Sequence, residues 1–241
     1  MPAFEYAISV GVDALELDMA VTKDNAIVVS HDPLLHPPVC TGPKNGVAIR
    51  ELTLAELRRY DCGAQKNPLF PKQQPVPGTR MPTLDEVFAL ASKGTFDFNI
   101  ETKIFAAHPE YTPSPEVFVS LVLQHIRTHR LEKRIILQSF DFRTLHAMKK
   151  IAPEIRRSAL YESGEKSYVE LGQESGATII SPHYRTVTKA KVEAAHKAGL
   201  EVVAWTANTP DLWDKLIDAQ VDAIISDVPA ELIAYLKMRT A

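Results

Sequence analysis

Short runs of β-branched residues alternate with helical stretches along almost the whole chain, and this alternation constrains the fold most. The strand candidates are Asp13–Met19, Ala26–Ser30, Phe96–Lys103, Ile135–Phe140, Ser158–Tyr161, Thr178–Ser181, Val202–Thr206 and Ala223–Ser226. The helix candidates are Thr83–Ser92, Pro115–His129, Phe142–Ile151, Ser167–Glu174, Thr188–Ala198 and Thr209–Ala219. Repeated strand-then-helix units predict a parallel sheet with helices outside it, either open or closed into a barrel.

Length and charge narrow the class of protein. The chain has 241 residues, a length that fits one large α/β barrel. Its formal net charge is -3 and it has no dense Lys/Arg block. Because binding to a phosphate backbone needs a concentrated basic surface, nucleic acid is not an expected partner. No apolar run approaches the ~20 residues that span a bilayer, so stable membrane insertion is not expected.

The segment His36–Pro82 interrupts the alternation. It contains many of the prolines, a short helical piece at Leu54–Arg58, and both cysteines, Cys40 and Cys62. We interpret it as an insertion after an early strand of a single barrel domain, residues 1–241. In a barrel such a loop lies over the catalytic face, where it could select the substrate. The cysteine spacing matches no zinc motif, and two free thiols are favoured over a disulfide.

The N-terminal segment departs from the strand–helix order. Met1–Val10 has the spacing of a helix, Gly11 ends it, and a strand follows. A helix that opens a series of strand–helix repeats predicts that the strand before it is missing. Such a loss would leave an open edge in a closed barrel.

One strand carries two carboxylates on the same face. Because side chains alternate along a strand, Glu16 and Asp18 share one face while Leu15 and Leu17 share the other. Like charges at this spacing repel, and a cation between them would remove the repulsion. A solvated acidic face on an exposed edge strand is the alternative.

A second strand points Asn99, Glu101 and Lys103 to one face. Such a set forms a poor core and a plausible site, although a simple Glu101–Lys103 salt bridge is the alternative. Three carboxylates from the two strands suit a hard divalent ion with oxygen ligands, Mg²⁺ or Ca²⁺.

Four other residues follow or end strands and are candidates for the site. His31 comes directly after an apolar run, and histidine is the side chain that exchanges protons most readily near neutral pH. His183 could line a pocket or have a structural role. Trp205 and Asn208 could form a wall for a small polar ligand, or be a core residue and a helix cap.

Taken in order, the motifs resemble those of the glycerophosphodiester phosphodiesterase family through essentially the whole chain. The most specific block runs from Gly11 to Asp32 and ends in Val28-Val29-Ser30-His31-Asp32. The shorter motifs are Leu52–Leu57, Met81–Val87, Asn99–Lys103, Gln138–Asp141, Ala204–Asn208 and Ser226–Pro229. Their order and spacing carry the resemblance, since each motif is weak alone.

The resemblance implies a TIM (β/α)₈ barrel that hydrolyses small glycerophosphodiesters to glycerol 3-phosphate and an alcohol such as choline or ethanolamine. By resemblance, the divalent ion is bound by Glu16, Asp18 and Glu101. His31 would be one of two acid–base histidines, protonating the departing alcohol, and Lys103 would neutralise phosphate charge. Phe140 and Trp205 would form walls of the glycerol pocket.

The family's first strand, with its His-Arg-Gly run, has no counterpart here. The resemblance therefore implies that a partner histidine, a phosphate-contacting arginine and one further acidic metal ligand are missing. We favour the interpretation that Met1 is not the natural start, with a complete enzyme in nature. A catalytically impaired barrel that only binds phosphodiesters is the alternative.

A related barrel phosphodiesterase that acts on lysophospholipids or sphingomyelin is a further enzymatic alternative. An exposed apolar rim within His36–Pro82 would favour it, whereas the prolines and charges there favour small substrates. Assembly of the chain into a homo-oligomer is left as an open alternative. A cytoplasmic location is favoured over a periplasmic one.

Overall fold

The computed structural model describes residues 1–240 and contains one curled, mainly parallel sheet with helices on its outer side. The strands in chain order are β1 (Ala14–Val21), β2 (Ile27–Val29), β3 (Leu34–Leu35), β4 (Val47–Ala48), β5 (Asp97–Thr102), β6 (Ile135–Ser139), β7 (Arg156–Tyr161), β8 (Ile179–Pro182), β9 (Glu201–Ala204) and β10 (Ala223–Ile224). The large sheet has the order β10-β9-β8-β7-β6-β5-β1-β2, and β3 pairs only with β4. The predicted α/β barrel is therefore confirmed in a partly open form, since no described strand joins β1 to β10.

Helices cover the outside of the sheet. They are α1 (Pro2–Val10), α2 (Leu54–Leu57), α3 (Leu84–Phe88), α4 (Pro115–His129), α5 (Phe142–Ile151), α6 (Tyr168–Ser175), α7 (Lys189–Lys197), α8 (Pro210–Asp218) and α9 (Pro229–Thr240). Capping boxes set where three of them begin, because Thr53, Thr83 and Ser167 each accept a bond from the backbone N–H three residues on. At the opening of the sheet, α1 contacts α9.

The core lies between the outer sheet face and these helices. On β1, Leu15 and Leu17 are buried against this layer, as the alternation predicted. Phe98 and Ile100 continue the apolar face on β5, where Phe98 packs edge-on against Phe88 of α3. The polar residues of the same strands are thereby directed to the inside of the barrel.

Three features differ from the sequence predictions. β2 pairs antiparallel with the end of β1, Met19–Val21 with Ile27–Val29, instead of forming another parallel strand. A connection of only five residues is too short for the crossover that parallel neighbours need. The helix predicted over Thr83–Ser92 continues after α3 as a 3₁₀ helix, Ala89–Lys93, and the C-terminal helix α9 was not predicted.

The segment 36–82 packs in a second, small core together with Ala20 of β1 and Val28 of β2. Leu35, Ile49, Leu57 and Tyr60 pack there with other apolar residues, separately from the main core. The prediction of two free thiols is wrong, because Cys40 and Cys62 form a disulfide. An antiparallel bridge between Thr41 and Asp61 places the two cysteines side by side, with their Cα atoms 4.0 Å apart. This contact is made by distant residues, so cysteine spacing could not reveal it.

Among the described residues, no helix combines the length and the apolar character needed to cross a membrane.

Reduction of the Cys40–Cys62 disulfide is expected to lower the free energy of unfolding by about 3 kcal/mol, because the crosslink restricts the unfolded chain over a loop of 22 residues. The measurement is urea unfolding with and without a reducing agent. A Cys40→Ala/Cys62→Ala variant should show the lower stability in both conditions. An equal response of this variant and the parent chain to the reducing agent would contradict the prediction.

Candidate active site

Three carboxylates meet inside the barrel at the C-terminal end of two neighbouring strands. Glu16 and Asp18 project inward from β1 and Glu101 from β5, and the parallel register pairs Asp18 with Glu101. One ligand oxygen from each of the three lies within 4.8 Å of the others. The structure thus brings together the three residues predicted from the sequence to hold a metal ion.

Lys103 is the positive charge of this cluster. Its Nζ atom lies 3.2 Å from Glu101 Oε1 and 3.4 Å from Asp18 Oδ1. Burial acts to lower the pKa of Lys103, but the carboxylates of Asp18 and Glu101 outweigh burial and raise it above the ordinary value. The lysine therefore stays protonated. It forms salt bridges with both Asp18 and Glu101, whereas the alternative interpretation of the sequence was a single salt bridge with Glu101.

One ammonium group does not neutralise three carboxylates. Burial, followed by the charge of Asp18, raises the pKa of Glu16 to about 8. The same two causes, in the same order, raise the pKa of Glu101 to about 9. Without a further cation both glutamates therefore retain protons near neutral pH. A hard divalent ion would replace those protons, so this donor set fits Mg²⁺ or Ca²⁺.

A buried chain of amide groups holds Glu16 in place. Gln138 on β6 donates from Nε2 to Glu16 Oε1 at 2.6 Å, and Gln138 Oε1 accepts from Asn99 Nδ2 at 2.9 Å. The sequence analysis named Gln138 only as part of a motif and missed this role. The alternation along the strand could have revealed this role, because Gln138 lies two residues before Phe140 and therefore shares its strand face. Phe140 was already a candidate for the pocket, so Gln138 was also expected to point towards the site.

His31 lies next to the cluster at the end of β2. The amide of the preceding residue, Ser30, donates to the carbonyl of Asp18 at 3.0 Å, which places the end of β2 beside Asp18 in the middle of β1. The ring of His31 is largely exposed, and its Nδ1 lies 2.7 Å from Asp32 Oδ1. Since a carboxylate only accepts, Nδ1 carries the proton of this bond, and Nε2 is left to exchange a proton with a ligand.

Aromatic rings form a wall on the opposite side of the same edge. Phe140 follows β6 and packs edge-on against Trp205, with ring centroids 5.7 Å apart. The ring of Trp205 in turn packs edge-on against the ring of His183, with centroids 4.9 Å apart. Its Nε1 donates a hydrogen bond to the carbonyl of Ser181. Burial lowers the pKa of His183, which favours its neutral form. Phe140 remains 46% exposed and so offers its ring to a ligand.

Asn208 has its side chain fully engaged in holding the loop after β10. Its Nδ2 donates to Asp227 Oδ2 at 2.7 Å, and its Oδ1 accepts from the Asp227 amide at 2.8 Å and the Ser226 hydroxyl at 3.0 Å. Thr209, not Asn208, occupies the N-cap position of α8, and its side chain makes no capping hydrogen bond. The charge of Asp227 contributes to the raised pKa of Glu16, which identifies a fourth nearby carboxylate that the sequence analysis missed.

Comparison with known proteins confirms the family that the sequence motifs resemble. The model of the glycerophosphoryl diester phosphodiesterase family matches residues 1–231. The chain belongs to this family. A glycerophosphodiester phosphodiesterase of Caldanaerobacter subterraneus subsp. tengcongensis is 30% identical over 237 residues, which covers 98% of this chain and 90% of the relative. Members of the family are phosphoric diester hydrolases.

Solved structures with the same fold include two phosphodiesterases. A putative glycerophosphoryl diester phosphodiesterase from Silicibacter pomeroyi DSS-3 has a TM-score of 0.91 and 27% identity, covering 98% of this chain and 87% of its own. A phosphodiesterase from Oleispira antarctica, in complex with the product sn-glycerol-3-phosphate, has a TM-score of 0.81 and 22% identity. It covers 98% of this chain and 89% of its own, and at this identity it supports the fold alone.

Binding of Mg²⁺ or Ca²⁺ is expected to raise the thermal midpoint of this protein, and Glu16→Gln should abolish the shift because it removes one of the three carboxylates. Without the ion, the same variant is expected to be at least as stable as the parent chain near neutral pH, since Glu16 must retain a proton in the folded chain whereas a neutral amide carries no such cost. Differential scanning fluorimetry with either ion, and with EDTA, measures both effects. A shift of equal size in the Glu16→Gln variant would contradict the assignment.

The pH dependence of stability provides a second test. Between the ordinary glutamate pKa of 4.5 and about 8, the unfolded chain loses a proton that folded Glu16 retains. Stability in EDTA should therefore fall as the pH rises through this window, because the unfolded state binds fewer protons there. Saturating divalent ion should remove the decline. Urea unfolding across the window measures it, and a Glu16→Gln variant that declines as steeply would argue against this origin.

Proposed function

We propose that this protein hydrolyses glycerophosphodiesters to glycerol 3-phosphate and an alcohol, with the help of a divalent cation. The observation that carries the proposal is the convergence of Glu16, Asp18 and Glu101 with Lys103 at one end of the barrel. Membership of the family supports the reaction class. The product in the Oleispira antarctica structure is the one proposed here.

The cluster would bind the charged centre of the substrate. Glu16, Asp18 and Glu101 would hold the divalent ion, which would polarise a phosphoryl oxygen. Attack on phosphorus by the neighbouring glycerol hydroxyl would expel the alcohol and form a cyclic phosphate, and a water molecule would then open this ring to give glycerol 3-phosphate. Lys103, whose raised pKa keeps it protonated, supplies further positive charge for the phosphate oxygens. Gln138 fixes the orientation of Glu16 and acts as a positioning residue.

His31 would supply the proton for the departing alcohol. Asp32 accepts a hydrogen bond from Nδ1–H and fixes the ring, so the proton to be transferred is the one on Nε2 of the doubly protonated ring. The exposed position of His31 keeps this atom accessible to a substrate bound at the cluster. The acid and base roles can also be exchanged, with Nε2 taking a proton from the attacking hydroxyl.

The aromatic wall would bind the carbon skeleton of glycerol. Phe140 and Trp205 present apolar surface beside the charged cluster, and neutral His183 extends it. Asn208 would act on this pocket through Asp227 and the loop after β10, because its own polar atoms are engaged.

Hydrolysis of glycerophosphocholine by this chain, coupled to detection of glycerol 3-phosphate, is expected to require Mg²⁺ or Ca²⁺ and to stop with EDTA. His31→Ala should lower kcat by about 10²–10⁴-fold, the usual effect of losing an acid–base group. His146→Ala, a histidine on α5, is the matched control and should leave the rate unchanged. Metal-dependent binding of glycerophosphocholine without any turnover would instead support a phosphodiester-binding barrel.

A second candidate substrate, a lysophospholipid, is favoured by one observation. Leu69, Phe70 and Val76 in the segment 36–82 are exposed, Leu69 to 82%. Lys72 in the same segment forms an ion pair with Glu231 near the start of α9. Since α9 begins just after β10, this contact holds the apolar residues towards the edge of the barrel that carries the site. An acyl chain could lie against them.

Hydrolysis of lysophosphatidylcholine tests this second candidate. The Leu69→Ser/Phe70→Ser variant should lose about tenfold or more in kcat/KM on this substrate, because two apolar contacts are removed, and keep its activity on glycerophosphocholine. Val117→Ser, an exposed apolar residue on α4, is the control. Equal losses on both substrates would contradict an acyl-binding role.

The Cys40–Cys62 disulfide supports folding in an oxidising compartment, in contrast to the cytoplasmic location favoured from the sequence.

A further inference from the structure

Three large apolar side chains are exposed in one loop of the segment 36–82. We call residues 63–79 the 63–79 loop; it carries Leu69, Phe70 and Val76, of which Leu69 is 82% exposed. Single exposed apolar residues are ordinary on a protein surface, whereas a group of them on one surface marks a site of interaction. The loop is therefore a candidate for contact with another molecule.

Polar bonds, rather than burial, hold the backbone of the 63–79 loop. At its base, the amide of Cys62 donates to the carbonyl of Thr79 at 2.8 Å. Asp61 accepts from the amides of Gly63 and Gly78 at 2.9 and 2.7 Å. The disulfide at Cys62 ties the same base to the small core. Because the loop is already ordered, its exposed side chains can bind a partner at a low cost in conformational entropy.

The tip of this loop, residues 67–73, leaves few backbone amides for water. Two of its seven positions are proline and carry no N–H. Only the amide of Lys72 lacks a partner among residues 1–240. The other four form hydrogen bonds within the tip, namely those of Asn67, Leu69, Phe70 and Gln73. Since an unpaired amide is costly to move out of water, this tip is suited to enter an apolar environment.

The charge of the loop is positive, in contrast to the formal net charge of -3 of the whole chain. Positions 62–84 contain no Asp or Glu but include Lys66, Lys72 and Arg80. Lys72 is paired with Glu231, whereas Lys66 is exposed and forms no ion pair within the described part of the chain. Apolar side chains bordered by basic ones match the surface of an anionic bilayer, because its headgroups attract positive charge.

We propose that the 63–79 loop docks this protein onto the surface of anionic lipid membranes. Leu69, Phe70 and Val76 enter the interface among the acyl chains, and Lys66 lies at the lipid phosphates. This inference goes beyond the proposed function, since docking requires no turnover. It also places the edge of the barrel that carries the site beside the membrane, because Lys72 and Glu231 join the loop to the start of α9.

Co-sedimentation with unilamellar vesicles tests the docking. The parent chain is expected to bind vesicles of equal parts phosphatidylglycerol and phosphatidylcholine about tenfold more tightly than vesicles of phosphatidylcholine alone. Leu69→Ser/Phe70→Ser should weaken binding to the mixed vesicles about tenfold or more, because two apolar side chains no longer leave water. Val117→Ser/Ile151→Ser, two exposed apolar positions on α4 and α5, is the matched control and should bind as the parent does. No binding by the parent chain, or equal binding by the loop variant, would overturn the proposal.

Lys66→Glu tests the contribution of charge. The reversal should weaken binding to the mixed vesicles about tenfold and reduce its dependence on salt, since a basic side chain near an anionic surface contributes about fivefold. Lys150→Glu on α5 is the matched control, because it makes the same change of net charge away from the loop. Equal effects of the two variants would overturn the role of Lys66.

Fluorescence identifies the surface that meets the lipid. Phe70→Trp should shift emission to shorter wavelength when the mixed vesicles are added, whereas Val117→Trp should not, and the same response from both would overturn the proposal. Self-association that Leu69→Ser/Phe70→Ser abolishes, without any binding to vesicles, would instead assign the loop to a second copy of this chain. Because none of these measurements uses a substrate, failure of the proposed function is distinguishable from failure of the docking.

Discussion

The parallel pairing of β1 with β5 is the constraint on which the candidate site depends. Its register sets Asp18 beside Glu101, and the alternation along β1 adds Glu16 on the same face. Holding these carboxylates together in a partly buried place raises the pKa of both glutamates, which is an energetic cost to the folded chain without a cation. Lys103 offsets part of that cost and leaves the cluster suited to a divalent ion.

The outer face of the sheet protects this arrangement. Leu17, Ile100 and Leu137 are buried under the helices, so each strand can present only its other face to the inside. A slip of one residue would expose these apolar side chains and turn the carboxylates outward. Burial of the apolar side chains on the outer face of the sheet therefore determines which side chains point into the site on the inner face. Gln138 adds a directional contact by bonding to Glu16 from the next strand.

The features proposed to select a substrate lie outside this framework, on loops and strand ends. The segment 36–82 packs in a second small core against Ala20 of β1 and Val28 of β2, contains a disulfide, and presents Leu69 and Phe70 at its surface. Such a division lets loops vary in charge and shape while the strands keep the reacting groups in place.

The sequence by itself determined the order of strands and helices, the inward direction of Glu16, Asp18 and Glu101, and the family, because periodicity and motif order are local properties of the chain. The helices 115–129 and 142–151 begin and end where the pattern predicted. Only the tertiary structure decided the pairing of Cys40 with Cys62 and the bond from Gln138 to Glu16. Each joins residues distant along the chain, and their distances follow from strand register and loop packing, which no local pattern encodes.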